Sequence, residues 1–264
     1  MLVNFFNTIL INPILNLLVL LYNLTGNLGL AIIFLTITIK TILIPVMNPA
    51  LKSIKKQKLL SPEIKAIKEK YPDDKKKQVE LQMELFKKNG INPASGCLTQ
   101  IIMIFVLIAL FNVIGKFSTY TDISEINSHI YFNSLKFNTD YNLNKYFLYL
   151  DLTKPDPLFI TAILSGVLQF ISSKMTLPAV QKAEKNAEKT LDKTDDIAYM
   201  MQQQALYMTP IMNVFIGTHL ASGIMVYIVT GIIFTIVHNY IYSGPGGLKP
   251  FINKLKSGKN TNNE

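Results

Sequence analysis

Five apolar stretches of membrane-crossing length, at residues 28–48, 98–116, 158–177, 206–221 and 223–242, constrain this chain more than any other feature of its sequence. A bilayer's hydrocarbon core is about 30 Å thick and takes about 20 residues of helix to cross. Runs of this length therefore predict spans. The remainder of the composition agrees: 49% of the 264 residues are hydrophobic and the mean hydropathy is +0.28, too apolar for a soluble domain of this size. The expected fold class is an all-α, polytopic membrane protein with a five-helix transmembrane core. The fourth run is short and meets the fifth at "THLASG", so 206–242 reads as a tight hairpin.

Residues 1–26 are also apolar, but Thr8, Asn12, Asn16, Asn23 and Asn27 fall on one face at 100° per residue. This pattern predicts an N-terminal interfacial amphipathic helix. A signal peptide needs a basic start, and no lysine precedes Lys40. A sixth span is the other alternative.

Lysine placement orients the chain. Segment 49–97 carries twelve lysines, 117–157 three, 174–205 five and the tail after Tyr242 four. The basic-rich segments belong in the cytoplasm, which puts the N-terminus and the 117–157 region outside and the 243–264 tail inside. The segment 49–97 divides itself at "YPDD", where Pro72 ends one helix and Asp73 and Asp74 suit the start of another. It is expected to be a cytoplasmic helical hairpin. Its first arm restarts at Ser61 and Pro62, read as N-cap and N1. Ile64, Ile67 and Tyr71 face Val79, Met83 and Phe86. Two readings stay open: plain packing of the arms, or a basic paddle that meets headgroups, nascent chains or an RNA-rich partner. The loop over 178–205 mixes both charges and reads as a solvated linker. The external region, 117–157, is aromatic and polar without an assignable motif.

All 26 basic residues are lysine. Without arginine the planar, bidentate recognition of phosphates and bases is missing, which argues against a DNA partner. The single cysteine, Cys97, forms no intrachain disulfide or cysteine metal cluster, and His129, His219 and His238 lack metal-ligand spacing. "ASGC" at 94–97 lies too deep in the chain for a lipid-attachment box. No nucleophile and base pair, nucleotide motif or phosphate-cradling loop occurs, and "GPGG" at 244–247 is a turn. Neither a cofactor nor covalent catalysis is expected.

The chemically pointed feature is Lys40, inside "IIFLTITIKTILIPV" at 32–46, because none of the seventeen acids falls within a span. A charge near the bilayer centre costs ~2.5–3.5 kcal/mol on insertion scales. Two placements offset that cost. The lysine stem can snorkel about 10 Å to the cytoplasmic end near Met47, or the ammonium can sit in a hydrated groove. Thr36 lies one turn away on the same face, and Thr161, Ser165, Gln169 and Ser172 form a polar stripe on the third span. Small hydroxyls can also serve helix-to-helix hydrogen bonds. Together with a lone lysine, the stripe favours a wet groove carrying one positive charge. Such a groove would attract acidic or polar segments of another polypeptide and ease their exit from the cytoplasm.

The ordered segments "GNLGLAIIFLTITIKTILIPV", "SPEIKAIKEKYPDDKKKQ", "KKNGINPASGCL", "IALF", "ILSGVLQFISSKM" and "SGIMVYIV" resemble the YidC family of membrane protein insertases over residues 10–242. The resemblance implies a five-helix core around a hydrophilic groove, in a bacterial-type plasma membrane, that inserts and helps fold small membrane proteins without nucleotide hydrolysis. It implies nascent membrane proteins and the lipid bilayer as partners, with the Sec translocon and, through the basic tail, the ribosome as further ones. Lys40 matches the family's groove arginine, Gln169 a groove glutamine and Tyr227 an aromatic placed against substrate. Departures lie at Thr99 and Phe105, where prolines are usual, and at Met103, where a glutamine is usual and Gln100 is offered instead. Ile228 and Gly231 replace an aromatic and an asparagine, so the fifth-span wall reads as less polar. The alternative function is a solute transporter or channel subunit with a midplane lysine, which should show internal repeats or glycine-broken helices; none is found.

Overall fold

The computed structural model describes residues 7–72, 74–91, 95–119, 123–138, 143–176 and 204–245. Most of the expected linker over 178–205 and of the tail over 243–264 lies outside these residues. The described chain is mostly helical: α1 (Asn12–Thr25), α2 (Leu28–Ile42), α3 (Ile44–Leu59), α4 (Ser61–Lys70), α5 (Lys75–Lys88), α6 (Ser95–Thr119), α7 (Ile123–Ser128), α8 (Ile160–Thr176), α9 (Thr209–Gly217) and α10 (Ser222–Ser243). A two-residue antiparallel pair, β1 (Tyr146–Phe147) and β2 (Leu150–Asp151), lies between α7 and α8.

Among the described residues, two helical stretches are long and apolar enough to cross a bilayer, Asn7–Thr25 and Ser222–Ser243. A third crossing arises if Leu28–Ile42 and Ile44–Gln57, bent by 61° at their junction, form one broken span. That bend interrupts the straight run expected over 28–48. Its cause is local: Pro45 opens α3 and Pro49 follows four residues later, and proline both lacks the N–H and crowds the preceding turn. Proline also explains the two π-helical turns, Asn7–Ile11 and Gln204–Met208. Each runs directly into a helix with proline in its first turn, Pro13 and Pro210.

The main core is apolar and continuous. Leu15, Leu18 and Val19 of α1, Ala31 and Ile32 of α2, Ala109, Leu110 and Val113 of α6, and Ile224 of α10 are all essentially inaccessible to solvent. Leu150 and Leu152, from the segment that sequence left without a motif, are buried with them. The asparagine face of α1 is occupied by this same segment. Asn16 donates to the His129 carbonyl (2.9 Å) and accepts from Tyr131 N–H (2.7 Å), Asn23 donates to Leu135 O, and the Tyr22 hydroxyl accepts from Asn144 N–H (2.8 Å). Asn27 caps α2 through the N–H groups of Gly29 and Leu30 while its amide reaches the Tyr146 carbonyl. Periodicity identifies a polar stripe but not its partner. Here the partner is protein.

Asp156 pins the segment to α8. The side chain is 1% exposed. Burial pushes its carboxyl up, but the N–H groups of Thr161 (2.8 Å) and Leu158 (3.0 Å) and the hydroxyls of Thr161 (2.9 Å) and Tyr149 (3.1 Å) outweigh that and hold it below the ordinary aspartate value. With the folded pKa depressed, the stabilisation is complete above the unfolded value of about 3.9 and is lost as pH falls through the folded one. Asp156→Ala is expected to destabilise the protein by about 1–3 kcal/mol at neutral pH, since four donors lose their acceptor. Thermal unfolding in detergent checks this, and the gap between variant and parent should narrow below about pH 4.

In the lysine-rich segment, Asp74 caps α5 by accepting from Lys77 N–H at 2.9 Å. The restart of the first arm falls one residue earlier than the expected cap. Leu60, not Ser61, holds the capping position, without a side-chain hydrogen bond. Leu60 is instead buried with Phe86 and Ile91, and Ile64 packs on that small cluster. Val79 and Met83, expected in the stripe, stay largely exposed.

Candidate functional site

Lys40 lies in the last turn of α2, immediately before the bend into α3. It is partly buried. Its Nζ donates to the Thr235 hydroxyl of α10 at 3.2 Å. The stem reaches there by crossing Gly231, where a Cβ would stand 3.4 Å from Lys40 Cε and 3.9 Å from Nζ. The side chain thus runs across to the neighbouring helix. Thr235 donates its own proton to the Gly231 carbonyl (2.8 Å), which leaves its oxygen free to accept from the ammonium. Among the described residues no acid lies within ion-pair distance of Lys40. An ammonium has three donors, and Thr235 takes one.

Polar side chains continue past Thr235. His238 Nε2 lies 3.1 Å from Asn48 Oδ1, across the bend on α3, with its ring stacked between Phe234 and Tyr242. Asn239 donates to the Thr176 hydroxyl of α8 (3.2 Å), and Gln169 lies 3.4 Å from the Ser173 hydroxyl one turn on. His238 Nδ1 and Asn239 Oδ1 are buried without a partner among the described residues. Tyr227, Gly231, Thr235 and His238 share about 80° of arc on α10, and the last three of them meet Thr36 and Lys40 of α2 and Asn48 of α3. Gly231 and Ile228 read in sequence as a loss of polarity from this wall. The structure has the polarity one to two turns further on, in Thr235, His238 and Asn239. The signal was present in sequence as the i, i+4 spacing of Gly231 and Thr235; their register against Lys40 was not.

The expected site residues separate into groups. Thr36 is fully buried beside Gly231, its hydroxyl returned to the Ile32 carbonyl (2.6 Å). Ser172 is buried and its carbonyl accepts from Thr176. Ser165 is buried with its hydroxyl on the Ala162 carbonyl, and Thr161 is at the far end of α8, bonded to Asp156. About 22 Å of helix separates Thr161 from Thr176, so the stripe serves both ends of α8. Tyr227 is buried in the apolar core, and Gln100 lies on α6 with its side chain outside the described residues. Among the described residues no group of three or more His, Cys, Asp or Glu is arranged to hold a metal.

These features define a helical membrane protein with one cation held in a polar seam between apolar helices. The family model of the 60Kd inner membrane protein matches residues 20–245. The chain is 29% identical to a membrane protein insertase YidC of Fusobacterium nucleatum over 84% of its own length and 88% of that protein's. It is 28% identical to the insertase MisCA of Bacillus subtilis (92% and 80%) and 30% identical to YidC 2 of Bacillus anthracis (90% and 81%). A crystal structure of an active YidC insertase, with its first transmembrane domain resolved, superposes with a TM-score of 0.53 at 27% identity. That match covers 83% of this chain and 43% of the other. The chain belongs to the 60Kd inner membrane protein family, which contains the YidC insertases.

Proposed function

We propose that this protein is a membrane protein insertase that moves small membrane proteins from the cytoplasm into the bilayer through a hydrated, positively charged groove, without nucleotide hydrolysis. The observation that carries the mechanism is the Lys40 ammonium, drawn across Gly231 to Thr235 with no acid beside it among the described residues. A client's acidic or polar segment entering the membrane gives up hydration at a cost of several kcal/mol. The unused donors of Lys40 replace part of that hydration and its charge offsets part of the penalty. The groove comprises Lys40, Thr235 and Gln169, backed by the buried Thr36, Ser172 and Tyr227, with Gln100 a further polar position; the Ser165 and Thr161 hydroxyls are engaged by the Ala162 carbonyl and Asp156 and serve the packing of α8. His238, Asn48 and Asn239 line its cytoplasmic mouth.

In this reading five spans form the core, with the N-terminus outside and the lysine-rich hairpin, the linker and the tail in the cytoplasm. Family membership gives no support to a transporter. Depleting the protein and following a two-span client tests the function: the client should remain protease-accessible in the cytoplasm, and unchanged insertion would refute it. Partners in this reading are nascent chains, lipid, the Sec translocon within the membrane and, through the cytoplasmic tail, the ribosome. The four tail lysines supply the charge for the ribosome contact. Truncation after Gly247 should reduce co-sedimentation with ribosomes at low salt and make little difference at high salt, where the charges are already screened.

A further inference from the structure

We propose that the segment before α8 carries an interfacial anchor, in which Leu148 and Phe159 insert into the headgroup and upper acyl region of the bilayer at the end of the protein remote from Lys40. Among the described residues these are the two non-glycine positions with left-handed backbone, at φ 56° and 54°. Such a conformation suits glycine or asparagine and is unusual for a bulky apolar residue. In both places the residue is a large hydrophobe turned outward: Leu148 is 82% exposed at the tip of the β1–β2 hairpin, and Phe159 is 47% exposed immediately before α8. Water rewards neither the side chain nor the backbone. A lipid surface rewards the side chain.

The two sites are tied to each other through Asp156. Tyr149, next to Leu148, donates to Asp156 Oδ2, the same oxygen that accepts from the N–H and hydroxyl of Thr161 in the first turn of α8. The Phe159 N–H bonds the Asp156 carbonyl. The hairpin's root is tied to α10 as well, through Ser222 N–H to Lys154 O (2.7 Å) and Gly223 N–H to Leu152 O (2.9 Å). A tip so restrained cannot fold its leucine inward.

The occupant is lipid because, with α8 as the third span of the proposed core, on which this inference rests, the patch is continuous with the exposed apolar side of that helix. Leu158, Ile160, Ile163, Leu164 and Val167 are exposed along that helix and its entry. The exposed phenol of Tyr146 beside the tip suits the boundary between headgroups and acyl chains. The anchor would fix the depth of α8 in the bilayer.

The test uses the full chain, with Cys97 replaced by serine, in vesicles of equal parts phosphatidylcholine and phosphatidylglycerol. An environment-sensitive fluorophore is attached to Leu148→Cys, to Phe159→Cys or, as the aqueous reference, to Asn133→Cys, which is also exposed. The probes at 148 and 159 should show blue-shifted emission, quenching by lipids spin-labelled near the headgroup and protection from iodide, while the probe at 133 shows the reverse. Tyr149→Phe should reduce lipid quenching at 148 and leave 159 unchanged. Iodide quenching without lipid quenching at both 148 and 159 would overturn the anchor. The measurement uses no client, so its failure would leave the insertase reading untouched, and an insertion defect would not mimic it.

Discussion

Lys40→Glu is expected to abolish insertion of a small two-span client in reconstituted vesicles, Lys40→Ala to impair it severely, and Lys40→Arg to retain most of it. The magnitude follows from the cost being offset. An acidic client segment pays ~2.5–3.5 kcal/mol near the bilayer centre, and each 1.36 kcal/mol is about tenfold in rate. Losing a partial offset should therefore slow insertion of such a client by about tenfold, with about a hundredfold as the upper bound if the whole cost is offset. Clients without acidic segments should lose far less, and glutamate, which adds repulsion, should be worse than alanine. The packing supplies an independent control at Gly231. A Cβ there would meet Lys40 Cε at 3.4 Å, an ordinary contact, so Gly231→Ala should be close to neutral. Gly231→Leu fills the notch through which the lysine stem passes and should mimic Lys40→Ala. Protease protection of the client reads all five variants. If glutamate inserts as well as lysine, the electrostatic mechanism is wrong.

The second large effect concerns glycines where other backbone passes close. Gly223→Ala should be severely destabilising. Its Cβ would stand 2.9 Å from the Leu152 carbonyl oxygen, and that oxygen is already bound to the Gly223 N–H at 2.9 Å, so neither group can withdraw without breaking the bond. Overpacking of this kind costs about 1–3 kcal/mol, and the lost hydrogen bond adds to it. Gly29→Ala meets the ring and the Cβ of Phe147, so Phe147→Ala should leave part of the clash in place, whereas Phe147→Gly should rescue Gly29→Ala and leave Gly223→Ala unrescued. Gly115→Ala, with nothing within 4 Å of the added carbon, should stabilise α6 by about 0.5–1 kcal/mol. Thermal unfolding in detergent ranks the three. Comparable midpoints for Gly223→Ala and the parent would show that the segment after β2 is not clamped to α10.

Much of the helical content was legible because apolar length and period are local properties. The break after Ile42 was legible only in part: Pro45 and Pro49 stand in plain view, yet an apolar run reads as continuous whether or not its axis bends. The asparagine face of α1 shows a different limit. Its period was clear, but Asn16 and Asn23 bind carbonyls more than a hundred residues away, and a polar face looks the same whether water, headgroups or protein will cover it. The site divides along the same line. Lys40, Thr36 and Gln169 could be singled out one by one because polar residues in apolar runs are conspicuous. Nothing local in the sequence marks Thr235 and His238 as lining residues, and Thr161 sits at the opposite end of its helix on Asp156.

The sequence by itself determined that the chain is built of apolar helices and that Lys40 has no acid within its own or any other apolar run, because hydrophobic length and a census of charges are both read along one dimension. Only the tertiary structure decided where the ammonium goes. Its acceptor, Thr235, is 195 residues away. Whether the two meet depends on the rotation and close approach of α2 and α10, with room at residue 231 for the lysine stem and for no more than a methyl group beside it.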